Sequence, residues 1–239
     1  MLVRAGTAEG AAASVVVPVG REGLVLEDDW DGIGQRVTGS GTTRLHQVRV
    51  AADEVEFDTA GTAYGLPYSS TLAQLIVTSV VAGILGGIEQ EAVALVQRRG
   101  ERSFNHAAAA KPADDPLLQQ TIGQISAAAF AAQTVALAAA DALDADDDAR
   151  QPGAFDAGLA LQGLIATAQA KVVIDELVVR AGSQLFDVGG ASAATRRYNL
   201  DRRWRNARTL VSDNPTAYKA RALGQYAVHD TPLPASRFF

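Results

Sequence analysis

From residue 72 onward, apolar side chains recur three and four apart: Leu72, Leu75, Ile76, Val80, Ile84, Ile88, Ala92 and Leu95. That spacing is one face of an α-helix, and it predicts a long helix ending at Arg98 to Gly100. Residues 101–114 read as a polar loop carrying Arg102, Phe104, Asn105 and His106. Asp114 or Asp115 can cap the next helix, with Pro116 at its first position, where no N–H is needed. Ile122, Ile125, Ala129, Ala132, Val135 and Ala136 mark the buried side of that helix to about Leu143, and its many alanines favour helix and close approach. The acidic run Asp144, Asp146, Asp147, Asp148 follows and reads as a solvated turn between helices. It lacks the glycine and terminal glutamate of a helix-loop-helix calcium loop. A third long helix is predicted over roughly 155–185. Leu159, Ile165, Val172, Val173 and Leu177 fall on one side of it. Gln162, Gln169 and Glu176 interrupt that side at seven-residue spacing, either paired with neighbours or facing a wet cleft. A shorter helix carries Arg203-Trp204-Arg205, and another runs from near Pro215 to near Gly224. Long helices with short connections predict a mainly α fold, a four-helix up-down bundle.

Residues 1–57 follow a different rule. Ser14 to Val19 with its Pro18, Leu24 to Leu26 after the turn Arg21-Glu22-Gly23, and the imperfect alternation of Thr43 to Val50 read as short strands. Between them lies Trp30-Asp31-Gly32-Ile33-Gly34-Gln35-Arg36-Val37-Thr38-Gly39-Ser40-Gly41. Its glycines permit tight turns and close approach to a neighbour or ligand. It lacks the Lys-Ser/Thr pair of a phosphate-binding loop. So few strands need partners this sequence does not contain, so the chain is expected to begin partway through a domain. The expected organisation is a partial β-domain over 1–57, a linker over 58–70 and a helical domain over 71–239. The tail ends in Arg237-Phe238-Phe239, and two terminal phenylalanines are expected to pack on a neighbour or a subunit.

Composition narrows the function classes. Apolar residues make up 48% of 239, enough for a sizeable core. A net charge of −6 argues against a nucleic-acid binder. The absence of cysteine excludes disulfides, thiolate catalysis and thiolate-held metals. His46, His106 and His229 lack metal-ligand spacing, so no metal site is expected. Ser69 to Ile88 is uncharged over about a membrane-spanning length, but charged helix follows without a break. A central bundle helix is expected there rather than a membrane anchor. No secretion signal is visible, so a cytoplasmic location is expected. The local basic exception is Arg202, Arg203, Arg205 and Arg208, with Gly189-Gly190 before them and Asn214-Pro215 after. Cations beside a glycine turn suit a bound phosphate. A basic helix facing the acidic remainder accounts for them equally well.

Several of these stretches, taken in order, resemble the acyl-CoA dehydrogenase superfamily. They are Trp30 to Arg36 with Thr38-Gly39-Ser40-Gly41 and a strand through Val50; Arg102 and Phe104; Asp115-Pro116 leading to Gly123; and Gly189-Gly190, Arg203 to Arg208 and Asn214-Pro215. More narrowly, they resemble the reduced-flavin-dependent monooxygenases built on that fold, such as the dibenzothiophene monooxygenases and related N-hydroxylases. The resemblance covers nearly the whole chain. It implies an N-terminal helical domain, expected to be missing here with the first β-strands, then a middle β-domain and a C-terminal bundle that forms homodimers or homotetramers. A companion chain is one candidate source of the missing region.

The resemblance also implies site residues. Arg102 and Phe104 match a loop that reaches the flavin phosphate of a neighbouring subunit, a task suited to a guanidinium fork. Gly189 and Gly190 match a turn that approaches the dinucleotide part of FAD in the dehydrogenases. Trp204, Arg205, Asn206 and Arg208 match the segment lining the site from the bundle. Many dehydrogenases place a glutamate base soon after, but Leu210 to Pro215 contains none. The monooxygenases tend to carry a histidine there. Here Ser212 and Asp213 occupy the catalytic position, with Asp213 a carboxylate that orients a donor or accepts a proton. The expected function is a monooxygenase using O2 and reduced FMN from a flavin reductase on a small apolar or aromatic heteroatom substrate. An FAD-dependent acyl-CoA dehydrogenase with a displaced base and a non-catalytic oligomerisation protein are the alternatives.

Overall fold

The computed structural model describes residues 1–59, 65–100, 104–150, 155–235 and 239. Five helices carry most of the chain: α1 (Thr71–Arg98), α2 (Pro116–Asp148), α3 (Ala157–Gly189), α4 (Asp201–Asp213) and α5 (Thr216–His229). Asp115 caps α2, its carboxylate accepting from Leu117 N at 2.9 Å, with Pro116 following. Leu143 near the end of α2 meets Gly163 near the start of α3, and Gln124 bonds Gln184 at the opposite ends, so the two run antiparallel. Leu85, Ile88, Ile125, Ile174 and Leu185 are fully buried between the three long helices. Burial of each stabilises the bundle by about 1.5–3 kcal/mol. Ala128, Ala132, Ala136 and Ala139 form the buried stripe of α2 and let its neighbours approach closely. Helix α4 packs on α1 and α3, and α5 on α3.

The N-terminal segment holds β1 (Leu2–Gly6), β2 (Ala12–Val16), β3 (Leu24–Leu26), β4 (Thr43–Leu45) and β5 (Val55–Phe57). One antiparallel sheet has the order β1-β2-β5, and β3-β4 form a separate pair. Strand β1 was not expected from the sequence pattern, and the strand expected over 43–50 stops at Leu45.

Other expectations are corrected by packing. The acidic run is no turn: α2 continues through it to Asp148, and Asp146 is buried beside Arg150 at 2.5 Å. On α1, Leu72, Ile76 and Val80 are exposed, while Gln74, Thr78, Val81 and Leu85 are buried. A helix this apolar all round does not reveal its inner face by periodicity. On α3, Gln162, Gln169 and Glu176 are all exposed, although Ile165 on the same expected side is buried. The buried stripe runs through Leu164, Lys171, Ile174, Asp175 and Val178. The ends expected at Leu185 and Gly224 extend to Gly189 and His229. The tail returns to its own chain: Leu233 is buried, Ala235 O accepts from Tyr68 N at 2.9 Å, and the Phe239 ring lies on Lys219. Phe238 is outside the described residues. Helices α1, α2 and α3 are each long and apolar enough to cross a membrane by length and composition.

Between α3 and α5 lies a buried ionic cluster. Lys171 bonds Asp175 at 2.8 Å, and the same carboxylate oxygen accepts from the Thr216 hydroxyl at the start of α5. Lys219 is fully buried, its ammonium without a hydrogen-bond partner among the described residues and 3.9 Å from the Phe239 ring centre. Desolvation, aided by the nearby Lys171 charge, pushes its pKa down to about 8. The unfolded chain therefore binds more protons than the folded one between about 8 and the ordinary lysine value of about 10.4. Stability rises with pH across that window, and below it the penalty is fully present. Lys219→Met, which keeps the contact with the ring, is expected to raise stability at pH 7. Its advantage over the natural chain should shrink between pH 8 and 10 in urea melts. A constant gap would show that the ammonium carries no penalty.

Candidate functional site

The glycine-rich stretch 30–41 has no regular structure of its own and is held from two sides. Asp29 accepts from Thr42 N at 2.6 Å and from the Thr42 hydroxyl at 2.7 Å, which closes the loop and lowers its carboxyl pKa. On the other side the loop docks on α4. Gln35 N donates to Asn206 Oδ1 at 2.8 Å, and Arg205 donates to Ile33 O at 2.7 Å. Gly34 is buried against the Arg205 carbonyl, where a Cβ would fall inside 3.0 Å. The Trp30 indole donates to Gly34 O at 3.1 Å, folding the ring over the loop.

A cleft of about 680 Å³ opens between this loop, α4 and α1. That is the range of small-molecule sites. Trp30, Ile33, Val77 and Leu210 supply apolar walls. Arg208, Ser212 and Asp213 line it from successive turns of α4, and Thr38 and Ser40 from the loop. Arg208 and Asp213 are exposed, and neither side chain has a hydrogen bond or ion pair among the described residues. Asp213 is the single carboxylate among the lining residues.

The structure thus gathers three of the expected site residues, Arg208, Ser212 and Asp213, in one cleft. Arg205 and Asn206 are committed to holding the loop, with Arg205 also bonded to Asp201 at 2.8 Å. Trp204 packs closely against Gly182 of α3. Arg203 pairs with Glu91 of α1, and Gly87 leaves room for its guanidinium. Gly189 O accepts from Arg99 at 2.8 Å, and Arg99 also reaches the Ser192 hydroxyl at 2.8 Å. Gly190 takes a left-handed φ of 62° to end α3. The Gly189-Gly190 turn is therefore bound by Arg99, a residue not singled out in the sequence. Phe104 is exposed and edge-on to His106, and is not among the lining residues of the cleft. Arg102 lies outside the described residues. The cleft walls Val77 and Leu210 carried no sequence signal beyond helical periodicity.

The family model described as "Acyl-CoA dehydrogenase, C-terminal domain" matches residues 75–212, which span α1 through most of α4. The chain belongs to the acyl-CoA dehydrogenase family. Within that family, it is 30% identical over 244 residues to the dibenzothiophene monooxygenase of Mycolicibacterium goodii, across 95% of this chain and 55% of that protein. It is 29% identical to a Pseudomonas putida protein named "Probable FMNH2-dependent monooxygenase SfnC", across 100% of this chain and 60% of the other. The crystal structure of FMN-bound TdsC from Paenibacillus sp. A11-2 superposes with a TM-score of 0.88 at 29% identity. That match covers 98% of this chain and 61% of TdsC. The chain spans little more than half the length of the curated relatives it matches.

Proposed function

We propose that this acyl-CoA dehydrogenase family chain forms one side of a flavin-dependent monooxygenase site. It would take reduced FMN from a separate flavin reductase, and O2, and oxygenate a small apolar or aromatic substrate at a heteroatom. The supporting observation is the cleft between the 30–41 loop and α4, in a fold that superposes on FMN-bound TdsC over 98% of the chain. Its residues fit a flavin. Trp30, Ile33, Val77 and Leu210 suit a flat ring, and Arg208 offers an uncommitted guanidinium for the phosphate. Reduced FMN would supply two electrons, so that one oxygen atom of O2 enters the substrate and the other leaves as water. The protein's part is to hold both molecules, exclude water along the apolar walls and accept a proton at Asp213, with Ser212 beside it. With no glutamate among the lining residues, nothing observed favours the dehydrogenase reading or FAD.

The same reading takes residues 1–57 as part of a middle β-domain and 71–239 as the helical domain. It places the protein in the cytoplasm without a membrane or nucleic-acid partner. Exposed Phe130 and Leu137 on α2 line a groove of about 660 Å³ with Ser79, Gly83 and Gly86 of α1, and α1 also exposes Leu72, Ile76 and Val80. We assign that face to a homodimer or homotetramer contact, with a companion chain as a possible further source of site residues.

The test is anaerobic titration with reduced FMN, with sedimentation of the same sample reporting assembly. The natural chain is expected to bind, and Arg208→Gln to bind about tenfold more weakly, the loss of one charge-assisted contact. No binding by the natural chain would overturn the flavin reading, and a monomer would overturn the oligomer.

A further inference from the structure

Three buried polar atoms without a hydrogen-bond partner among the described residues stand at the seam between α3 and α5: Thr167 Oγ1, Asp175 Oδ1 and Lys219 Nζ. Thr167, Lys171 and Asp175 follow one another at four-residue steps on α3, so they form one buried row about 6 Å apart along the axis. Helix α5 lies against that row in the opposite direction. Thr216 meets Asp175, and Ala222 joins the apolar cluster of Leu164 and Ala168. Lys219 lies between those two levels and so comes in beside Lys171, whose charge it feels. Thr167 is 1% exposed, Lys171 and Asp175 5%, and Lys219 0%. Two buried ammonium groups therefore share one carboxylate, and its bonded oxygen is already engaged by Lys171 and Thr216.

A buried charge without a counter-charge is costly, and here the excess is one positive charge. The Phe239 ring over Lys219 offsets part of it by attraction to the ring face. The uncommitted groups on the Lys219 side are donors: the N–H groups of Lys219, the further N–H groups of Lys171 and the Thr167 hydroxyl. We propose that Lys219, Lys171 and Thr167 bind a small monovalent anion, of the kind of chloride, in the seam between α3 and α5. One such ion brings the cluster to neutrality. Phosphate or sulfate would bring more charge than the excess, and water would leave the excess in place. The unbonded oxygen of Asp175 repels an anion, which puts the ion on the Lys219–Thr167 side of the row. Binding requires the ammonium form of Lys219, so ion and proton support each other. With burial lowering the Lys219 pKa to about 8, the ion binds below that pH and loses its hold above it. The bound ion would fasten α5, and the tail packed on it, to α3. The site is separate from the cleft at the 30–41 loop and stands whether or not the chain binds a flavin.

Thermal melting in sodium chloride and in sodium gluconate of equal ionic strength tests this, since the polyol chain of gluconate cannot enter a buried seam. At pH 7, with chloride at ten times its dissociation constant, the melting temperature is expected to be about 3–6 °C higher than in gluconate. Lys219→Met should remove the difference, and its advantage over the natural chain should narrow in chloride. Thr167→Val should raise the chloride concentration at half-effect about tenfold, the worth of one hydrogen bond to a charged acceptor. Lys111→Met, at an exposed lysine, should keep the full chloride effect. For the natural chain the effect should disappear by about pH 9.5, where Lys219 is neutral. Crystals soaked in bromide should show an anomalous-scattering peak beside Lys219. Equal melting in the two salts, a chloride effect that survives Lys219→Met, an effect undiminished at high pH, or no bromide beside Lys219 would each overturn the proposal. An unchanged half-effect in Thr167→Val would overturn the part assigned to Thr167.

Discussion

Asp175→Ala is expected to cost about 3–5 kcal/mol of stability, the usual loss when one partner of a buried ion pair is removed. Asp175 is 5% exposed and bonds Lys171, which is also 5% exposed. The same carboxylate receives the Thr216 hydroxyl and so ties the first turn of α5 to α3. Lys219, fully buried and without an acceptor among the described residues, adds a second positive charge to the region. Without the carboxylate, two ammonium groups would remain buried, one of them against the Phe239 ring. The loss should concentrate in α5, with the tail packed on it, so hydrogen exchange should accelerate there before the three long helices open. Pairing Asp175→Leu with Lys171→Met is expected to recover most of the stability, because it removes the charges together. Urea denaturation of the three proteins decides this, and an Asp175→Ala variant within about 1 kcal/mol of the natural chain would show the pair to be solvated in solution.

The second large effect is expected at Gly34, and it should fall on binding rather than on global stability. Gly34 does not adopt a left-handed φ, so its backbone would accept a side chain. The obstacle is space, since any Cβ would meet the Arg205 carbonyl and the Thr209 hydroxyl inside 3.0 Å. Two of those three atoms belong to helix backbone and cannot move aside. Gly34→Val should therefore lift the loop from α4 and break the Gln35–Asn206 and Arg205–Ile33 hydrogen bonds. Overpacking of this kind costs about 1–3 kcal/mol, enough to lower occupancy of the intact cleft roughly 10- to 100-fold. Reduced-FMN affinity should fall accordingly while the bundle's melting temperature changes little, because the loop adds nothing to the core between α1, α2 and α3. Gly39→Ala, in the same motif, is the control: a Cβ there meets nothing within 4 Å. Equal binding by Gly34→Val and the natural chain would show that the loop is not a wall of the site.

The contrast between Gly34 and Gly39 shows where sequence reading stops. The motif as a string announces that the backbone must come close to something, but gives its glycines equal weight. The helix on the other side, 171 residues later, decides which of them has no room. Arg205 and Asn206 show the same limit. Their residue types suit an anionic ligand, and only the docked loop reveals that their hydrogen bonds are committed to backbone atoms. Arg208, three residues after Arg205, has no such neighbour and faces the cleft.

By itself, the sequence determined the mainly α class, the order of the long helices and the cap at Asp115-Pro116. These depend on local periodicity and on terminal N–H groups satisfied within a few residues. It also determined family membership, because the motifs recur in order along the chain. Tertiary structure alone decided which side of α1 and α3 is buried. An apolar helix such as α1 has more than one face fit for a core, and on α3 the inward stripe contains Lys171 and Asp175, whose charges are tolerable only because they meet. Tertiary structure also decided that the acidic run continues α2, where Asp146 finds Arg150 one turn on. It sorted the basic cluster as well, leaving Arg208 without a partner among the described residues and engaging Arg203 and Arg205, since a side chain's availability depends on every other group that can reach it.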